Sequence, residues 1–330
     1  MLKWCIIGSG DVIKRLVQDS LNIKNKSKVE CILSDDLTQA KDFAKKHNIK
    51  DVLLKSEKNI KKIINNSDIN SIYIATPPNS HLFYISKFCK TKKNIVSEKP
   101  LVTNKKELAR LKTLLKKYKF NLFTCFYRRY LKKFIFIKEL LNKKILGKIL
   151  YFDIKYFHDE KTHPTAKIIK GKPIPWRFVK KISGGGNVVD MGVHAIDLVE
   201  FMIGKIKKIS SFKTNKMNLY KVEDICVINF ELKNKILGQS SWCSVSNNKK
   251  DEFSIYGSKA SIHFTMNMGE DEKITIYKDG KKKIRSFKMI QPLHKNMLKY
   301  FVNRLEQNNK KNRYEIRNDG LVNSYLISLI

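Results

Sequence analysis

The chain has 330 residues, 42% of them hydrophobic and 10% aromatic, and a formal net charge of +37. That length allows two domains with sizeable cores, the composition excludes intrinsic disorder, and no apolar run approaches the ~20 residues of a membrane-spanning helix. Its lysines are spread along the whole sequence without a helix-turn-helix, zinc-finger or RNP-type motif, so we expect no specific binding of nucleic acid.

The N-terminal third alternates short apolar runs with amphipathic segments, which is typical of βαβ units. Because the apolar runs contain few polar residues, we expect strands of a parallel sheet that is covered on both faces. The predicted strands are Trp4–Ile7, Val29–Leu33, Val52–Leu54, Ile72–Ala75, Ile95–Ser97 and Leu122–Phe126. The predicted helices are Ile13–Leu21, Thr38–His47, Lys58–Ile64, Ser80–Lys90 and Lys105–Tyr118.

A glycine-rich turn separates the first predicted strand from the first predicted helix. It reads Gly8-Ser9-Gly10-Asp11-Val12-Ile13, in the context that a dinucleotide-binding fingerprint requires. Gly8 permits the tight turn, Gly10 lets a pyrophosphate approach the backbone, and the helix start offers N–H groups to phosphates. Ile13 stands where the fingerprint has a third small residue, and a simple turn is the alternative interpretation.

An acidic residue follows the second predicted strand, roughly 20 residues beyond the glycines. A carboxylate at Asp35 can accept hydrogen bonds from the adenosine ribose and would repel a 2′-phosphate, so it favours NAD over NADP. The alternative is that Asp35-Asp36 forms a polar turn that caps the helix Thr38–His47.

Two later strand ends carry further candidates. The strand Ile72–Ala75 runs into Thr76-Pro77-Pro78-Asn79-Ser80-His81, which we interpret as a cofactor-lining loop with His81 in a structural role. The strand Ile95–Ser97 runs into Glu98-Lys99-Pro100, and the residue before a proline is held extended. Lys99 therefore lies at the carboxyl edge of the sheet, where open α/β sheets bind their ligands.

The pattern changes after Tyr130, where short apolar runs and turn signals such as Asp279-Gly280 predict a largely antiparallel sheet. Other predicted elements here are the helix Leu131–Leu141, the strand Ile149–Phe157 and two final helices, Lys295–Gln307 and Gly320–Ile330. We therefore expect an α/β fold, with a doubly wound parallel sheet in residues 1–122 and an α/β domain with an open, mostly antiparallel sheet in residues 123–330.

The stretch from Gly184 to Asp197 points to proton chemistry. Three glycines allow a sharp bend, and Asp190, His194 and Asp197 follow at i, i+4 and i+7, on one face of a helix. A carboxylate beside a histidine fixes the imidazole tautomer and raises its basicity. One alternative is an Asp–His pair that serves only packing. A zinc site is the other, but no third-ligand motif accompanies these residues, so we predict no metal.

With these motifs in place, the chain resembles the Gfo/Idh/MocA family of nicotinamide-dependent oxidoreductases over nearly its whole length. The resemblance rests on the order and spacing of Gly8-Ser9-Gly10, Ala75-Thr76-Pro77 through His81, Glu98-Lys99-Pro100, Trp176-Arg177, and Gly184–Gly186 with Asp190 and His194. It implies a Rossmann domain followed by an α/β domain whose open sheet commonly forms the subunit interface, hence a homodimer or homotetramer.

The resemblance also implies roles for individual residues. Lys99 contacts the substrate and the nicotinamide ribose, His194 is the catalytic acid/base, and Asp190 is its partner. The implied substrate residues are Arg129, Lys99, Asp190 and His194. The implied cofactor-binding residues are Gly8, Ser9, Gly10, Asp11, Val12, Ile13, Asp35, Thr76, Pro77, Asn79, His81, Glu98, Lys99 and Trp176. Tyr127 stands where many members have Asn, which leaves the substrate pocket open.

These expectations together predict an enzyme that transfers hydride between NAD, with NADP possible, and a hydroxyl or carbonyl carbon of a sugar, inositol, sugar nucleotide or related polyol. The alternative is a non-catalytic, cofactor-binding regulator on the same fold, which could dispense with Lys99, Asp190 and His194. The six cysteines are scattered and form no C-x-x-C pair, so we expect reduced thiols in a cytoplasmic protein. The N-terminal residues do not resemble a signal peptide.

Overall fold

The structure is a computed structural model and describes residues 1–159, 168–169, 171–266, 271–311, 315 and 320–321. Contacts divide the chain into two compact units. Unit 1 comprises Met1–Tyr127 and the described residues from Ile290 onward, and unit 2 comprises the described residues of Arg128–Met289. No helix within these described ranges is long and apolar enough to cross a membrane.

Unit 1 is built on a six-stranded sheet in which every pair of neighbours is parallel. Its order, β3-β2-β1-β4-β5-β6, is that of a dinucleotide-binding fold and confirms the predicted doubly wound sheet. Side chains such as Ile6, Ile72 and Val96 are completely buried. The strands are Leu2–Ile7 (β1), Ser27–Ser34 (β2), Asp51–Leu54 (β3), Ser71–Ile74 (β4), Asn94–Ser97 (β5) and Leu122–Thr124 (β6).

Four α-helices connect these strands and confirm four of the five predicted helices. They are Leu37–His47 (α1), Glu57–Asn65 (α2), His81–Phe88 (α3) and Lys105–Lys117 (α4). Three of them begin where a side chain caps the first turn: Asp36, Ser56 and Asn104 each accept a hydrogen bond from the backbone N–H three residues later.

The first predicted helix differs from expectation. The structure has a six-residue π-helix over Val12–Val17 where the sequence predicted a helix over Ile13–Leu21. The backbone N–H of Gln18 donates to the carbonyl of Ile13 at 2.8 Å, and Gln18 then adopts a positive φ of 45°, which ends the helix. A π-turn is wider than an α-turn, and the fully buried Ile13 side chain occupies the position where a small residue was expected.

Unit 2 is built on an eight-stranded sheet in the order β14-β13-β12-β11-β7-β10-β9-β8. Only the β7–β10 pair is parallel among its described pairings, so the mostly antiparallel prediction is confirmed. The strands are Ile149–Asp159 (β7), Ile206–Thr214 (β8), Ile225–Leu232 (β9), Leu237–Cys243 (β10), Val245–Gly257 (β11), Ala260–Phe264 (β12), Asp271–Lys278 (β13) and Lys281–Lys288 (β14). Asp279 and Gly280 form the predicted hairpin turn, both with positive φ.

The helices of unit 2 are Lys132–Asn142 (α5), Lys180–Ser183 (α6) and Val193–Met202 (α7), with a π-helix over Val188–Gly192 leading into α7. Strand alternation gives the sheet two distinct faces. Phe152, Ile154 and Phe253 are buried on one face, whereas Leu237 and Tyr256 remain 56% and 38% exposed on the other.

One helix follows unit 2 in sequence but belongs to unit 1, and it spans Lys295–Lys310 (α8). Its Phe301 ring packs 5.0 Å from the ring of Phe123 on β6, and its Asn303 accepts a hydrogen bond from Lys26. The predicted boundary at residue 122 placed this helix in the second domain, since sequence order does not reveal a return to the first. Of the predicted helix Gly320–Ile330, only residues 320–321 are described, and both are helical.

Candidate active site

The glycine turn of unit 1 uses its two glycines differently. Gly8 has φ +101°, and a Cβ there would approach the carbonyl oxygen of Ala75 to 2.9 Å, so the fold itself requires glycine. A Cβ on Gly10 would meet nothing within 4 Å. The absence of a side chain at Gly10 is therefore not demanded by packing, and it leaves the backbone open to an approaching ligand, which fits a bound pyrophosphate.

The end of β2 is tied to this turn by hydroxyl groups. Ser9 Oγ lies 2.8 Å from Ser34 Oγ, and Ser34 Oγ accepts a hydrogen bond from the backbone N–H of Asp36. The Asp36 side chain caps α1 by accepting from the Gln39 N–H at 2.9 Å. Asp35 is the exposed acid of the pair. The capping role considered for Asp35-Asp36 therefore falls to Asp36, and Asp35 is placed at the strand end.

His81 links two of the predicted loops. Its ring is completely buried, with Nδ1 2.7 Å from the Pro100 carbonyl oxygen and Nε2 2.8 Å from the Thr76 carbonyl oxygen. Burial lowers the pKa of His81, and the two carbonyl contacts oppose that shift. The imidazole thus joins the loop after β4, which carries Pro77 and Asn79, to the loop that carries Lys99.

Lys99 follows β5, and its side chain is partly exposed. The preceding residue, Glu98, is held in the sheet by a 2.9 Å bond from its N–H to the Ile74 carbonyl, and its carboxylate is only 8% exposed. Tyr73 Oη donates to Glu98 Oε1 at 2.7 Å. The Glu98 side chain, predicted among the cofactor-binding residues, is therefore placed in the interior of unit 1, which the E-K-P motif alone did not reveal.

The glycine triplet of unit 2 packs against one acidic side chain. The N–H of Gly186 donates to Glu223 Oε1 at 2.8 Å, and a Cβ on Gly186 would approach the Glu223 carbonyl oxygen to 2.6 Å. Gly192, at the end of the π-helix, lies against the Trp242 ring, and a Cβ at Gly192 would come to 3.5 Å from that ring. Close packing at these two glycines sets the course of the segment that carries Asp190.

Asp190 forms an ion pair with Arg177, whose Nε lies 3.3 Å from Asp190 Oδ2. The Arg177 guanidinium in turn stacks on the Trp176 ring at 4.4 Å. His194 lies in the first turn of α7 and is 4% exposed. The structure therefore connects Trp176 and Asp190 through Arg177, which the sequence motif named without assigning it a partner.

Arg129 and Asp197 form a bidentate ion pair. Arg129 Nη2 donates to Asp197 Oδ1 at 2.7 Å and Nε donates to Oδ2 at 2.8 Å, with the side chains 12% and 1% exposed. The sequence placed Asp197 on one helix face with Asp190 and His194, and in the structure its carboxylate orients Arg129. Whether Arg129 also contacts substrate stays a prediction.

A second polar pair was missed from the sequence. Asn187 Nδ2 lies 2.8 Å from His158 Nε2, and burial lowers the pKa of His158. The His158 ring also packs edge-on to Tyr156, 5.6 Å away, and Tyr156 contacts Trp242. His158 and Tyr156 lie on β7 and Trp242 lies on β10, where no sequence motif marks them. Only Asn187, directly after the glycine triplet, lies next to a motif that the sequence analysis had identified.

Two groups of candidate residues thus emerge, each within its own unit. Unit 1 holds the glycine turn, Asp35, the Thr76–His81 loop and Lys99, and unit 2 holds Trp176, Asp190, His194 and Arg129. Across the described residues, no group of three or more His, Cys, Asp or Glu side chains could hold a metal ion.

Two family models match the chain. The model described as "Oxidoreductase family, NAD-binding Rossmann fold" matches residues 2–126, and that of the GFO/IDH/MocA C-terminal domain matches residues 134–263. Among curated proteins, Oxidoreductase P35 of Formosa agariphila is 30% identical over 295 residues, which cover 89% of this chain and 87% of that protein. A trans-1,2-dihydrobenzene-1,2-diol dehydrogenase of Xenopus tropicalis is 27% identical, over 60% of this chain and 55% of that protein.

Solved structures share the fold. A levoglucosan dehydrogenase in complex with NADH and L-sorbose superposes with a TM-score of 0.81 at 17% identity, covering 100% of this chain and 96% of that one. KijD10, a 3-ketoreductase from Actinomadura kijaniata in complex with NADP and TDP-benzene, gives a TM-score of 0.81 at 15% identity, with the same coverage.

Proposed function

The chain belongs to the GFO/IDH/MocA family of NAD-binding oxidoreductases, and from this premise we propose that it transfers hydride between a nicotinamide and a hydroxyl or carbonyl carbon of a sugar-like polyol. The observation that carries the proposal is the glycine turn, in which Gly10 leaves the backbone open although the fold does not require it. A regulator without catalysis would not need Lys99 and His194, and the chain has both.

The residues of unit 1 fit a dinucleotide. Gly8, Ser9 and Gly10 would hold its pyrophosphate, Asp35 its adenosine ribose, and the loop from Thr76 to His81 with Lys99 its nicotinamide half. When bound, the nicotinamide supplies a hydride donor or acceptor. Exposed Asp35 at the end of β2 supports NAD over NADP, since a carboxylate there would repel a 2′-phosphate.

Protein side chains supply the proton chemistry. We assign to His194 the removal of the hydroxyl proton during oxidation and its return during reduction. Lys99 stabilises the developing alkoxide charge with its ammonium group. Asp190, which the Arg177 guanidinium holds at 3.3 Å, orients His194 or a substrate hydroxyl.

The names of the relatives support the substrate class. One is a dihydrodiol dehydrogenase, and the structures of similar fold include a levoglucosan dehydrogenase and a 3-ketoreductase. We therefore infer a substrate with neighbouring hydroxyl groups: a sugar, an inositol, a sugar nucleotide or a related polyol.

The test is a screen in which each compound is mixed with the protein and either NAD or NADP. Cofactor reduction is measured as the absorbance of the reduced nicotinamide. We expect turnover with at least one compound, and a higher kcat/KM with NAD than with NADP. Tight NADH binding without turnover on any member of the panel would favour the regulator instead.

We also propose a homo-oligomer in the cytoplasm. The exposed face of the unit 2 sheet carries a belt of aromatic and apolar side chains: Tyr151 stacks on Tyr256 at 6.2 Å, His263 packs edge-on to Tyr256 and Tyr277, and Leu237 is 56% exposed. Such a patch on a sheet face supports a subunit interface. Sedimentation equilibrium decides the point, and a monomer at micromolar concentration would contradict it.

A further inference from the structure

A buried cluster of ionisable groups lies behind Lys99, and the proposed function does not use it. Tyr73 on β4 donates its hydroxyl hydrogen to Glu98 Oε1 at 2.7 Å, and its oxygen lies 3.3 Å from Nδ1 of His294, the residue before α8. His294 Nδ1 lies 3.6 Å from Glu98 Oε1. Cys125, just past β6, donates its thiol hydrogen to the Tyr73 oxygen at 3.4 Å.

The hydrogen bonds of this cluster have a fixed direction. Because the single phenolic hydrogen of Tyr73 goes to Glu98, His294 must donate its Nδ1–H to the Tyr73 oxygen. All three side chains are buried, at 8% exposure or less. The His294 ring is further covered by Tyr127, with the ring centroids 4.8 Å apart. The Glu98 carboxylate is thus held from β4 and from a segment more than 190 residues later in the chain.

The charge of Glu98 matters to the residue that follows it. Burial raises the pKa of Glu98, while the Tyr73 hydrogen bond and the positive charge of Lys99 lower it. Loss of the Tyr73 bond would therefore favour the neutral carboxyl. A neutral carboxyl would no longer attract the Lys99 ammonium group, to which we assign the stabilisation of the alkoxide.

We propose that Tyr73 and His294 are positioning residues for Lys99: together they hold the Glu98 carboxylate ionised and in place behind the strand end that carries the lysine. This inference rests on the role proposed above for Lys99. It gives α8 a function, because the segment that begins that helix supplies His294 to the nucleotide-binding unit.

The first test compares Tyr73→Phe with Tyr84→Phe. Both tyrosines are buried in unit 1, at 0% and 1% exposure, and each change removes one hydroxyl group. We expect Tyr73→Phe to lower kcat about 10-fold, the scale of one lost hydrogen bond to a charged group, with the KM for NAD changed less. Tyr84→Phe should match the wild type in both kcat and KM.

The second test reads Lys99 without turnover. Competitive labelling with acetic anhydride at one fixed pH, followed by peptide mass spectrometry, gives the reactivity of Lys99 relative to the other lysines. We expect this reactivity to rise in Glu98→Gln and to rise by a smaller factor in Tyr73→Phe, because the Lys99 ammonium group then loses an attractive charge that helps to hold it in place. If Tyr73→Phe does not fold, His294→Leu takes its place with the same expected direction.

The two tests separate the inference from the proposed function. A wild-type protein that turns over no polyol would overturn the function, but the labelling of Lys99 would still decide the inference. Equal Lys99 reactivity in Tyr73→Phe and Tyr84→Phe, or unchanged reactivity in Glu98→Gln, would overturn the inference even in a fully active enzyme.

Discussion

The two units hold their candidate residues by different means. In unit 1 the candidate residues are held mainly by hydrogen bonds to the backbone. The N–H of Gly8 donates to the Leu33 carbonyl, the N–H of Glu98 donates to the Ile74 carbonyl, and the His81 ring contacts two carbonyl oxygens. In unit 2 the candidate residues are held by ion pairs between side chains, Arg129 with Asp197 and Arg177 with Asp190. Positions set by a parallel sheet follow from strand order, whereas positions set by side-chain pairs depend on the identity of both partners.

This difference predicts where single replacements act. A change to a backbone-built position in unit 1 should act mainly through conformation and ligand access. A change to a paired side chain in unit 2 should leave its partner's charge uncompensated, which is costly when the partner is buried.

The largest effect is expected for chemistry in unit 2. His194→Ala should lower kcat by about 10²–10⁴-fold, the range for loss of a general acid/base, because it removes the imidazole that we assign as the proton acceptor. Steady-state kinetics with the substrate found in the screen measures it. His47→Ala, which removes a ring packed on Phe43 of α1, is the control and should leave kcat unchanged. Wild-type kcat in His194→Ala would remove His194 from the reaction.

The same difference explains what could be predicted from the sequence. The apolar runs and the glycine turn predicted the parallel sheet, and Pro100 placed Lys99 at its edge. The helix after Gly10 was predicted as an α-helix, but it is a π-helix around Ile13, because local periodicity does not distinguish these two turns. The partners of Asp190 and Arg129 were missed, since each pair forms only after the chain has folded back on itself.

The buried pair Arg129–Asp197 of unit 2 should matter to stability more than an exposed pair in unit 1. Arg129→Ala leaves the Asp197 carboxylate, 1% exposed, without the guanidinium, and we expect a loss of about 3 kcal/mol in the free energy of unfolding. Arg15→Ala breaks the exposed Arg15–Asp11 pair, 3.8 Å apart, and should cost less than about 0.5 kcal/mol.

Urea unfolding followed by tryptophan fluorescence compares the two arginine variants. Equal losses of unfolding free energy in Arg129→Ala and Arg15→Ala would show that the buried Arg129–Asp197 pair stabilises unit 2 no more than an exposed pair stabilises unit 1. That result would contradict the proposed difference between the units. A drop in kcat/KM for Arg129→Ala, at a temperature where the variant is folded, would in addition support the predicted substrate role of Arg129.

The two glycines of the turn after β1 offer a smaller and more selective contrast. Gly8→Ala introduces a Cβ at φ +101° and 2.9 Å from the Ala75 carbonyl oxygen, so we expect a loss of about 1–3 kcal/mol in stability. Gly10→Ala meets nothing within 4 Å and should leave stability within about 0.5 kcal/mol, yet it should weaken NADH binding. Fluorescence titration with NADH and thermal unfolding separate the two effects. Unaltered NADH affinity in Gly10→Ala would contradict the pyrophosphate assignment.

The smallest effect concerns pH and compares one buried histidine from each unit. Burial lowers the pKa of His81 and of His158 in the folded protein below the ordinary value of 6.5. The unfolded chain therefore binds more protons on the acid side, so the stability that each contributes is present above pH 6.5 and declines as the pH falls towards the folded pKa. Glu98 contributes in the opposite sense, because burial raises its pKa and the folded protein then binds the proton more readily.

Variants isolate the histidine contributions from that opposing carboxyl group. We expect the melting temperature of the wild type to fall between pH 7 and pH 5, and the fall to be shallower in His81→Asn and in His158→Asn. The slope is the informative quantity, since each replacement also removes hydrogen bonds and lowers stability at every pH. His81 is completely buried and His158 is 8% exposed, so His81→Asn should flatten the curve more. Identical slopes in the wild type and both variants would mean that neither histidine is held neutral by burial, and that the carbonyl contacts of His81 outweigh its desolvation.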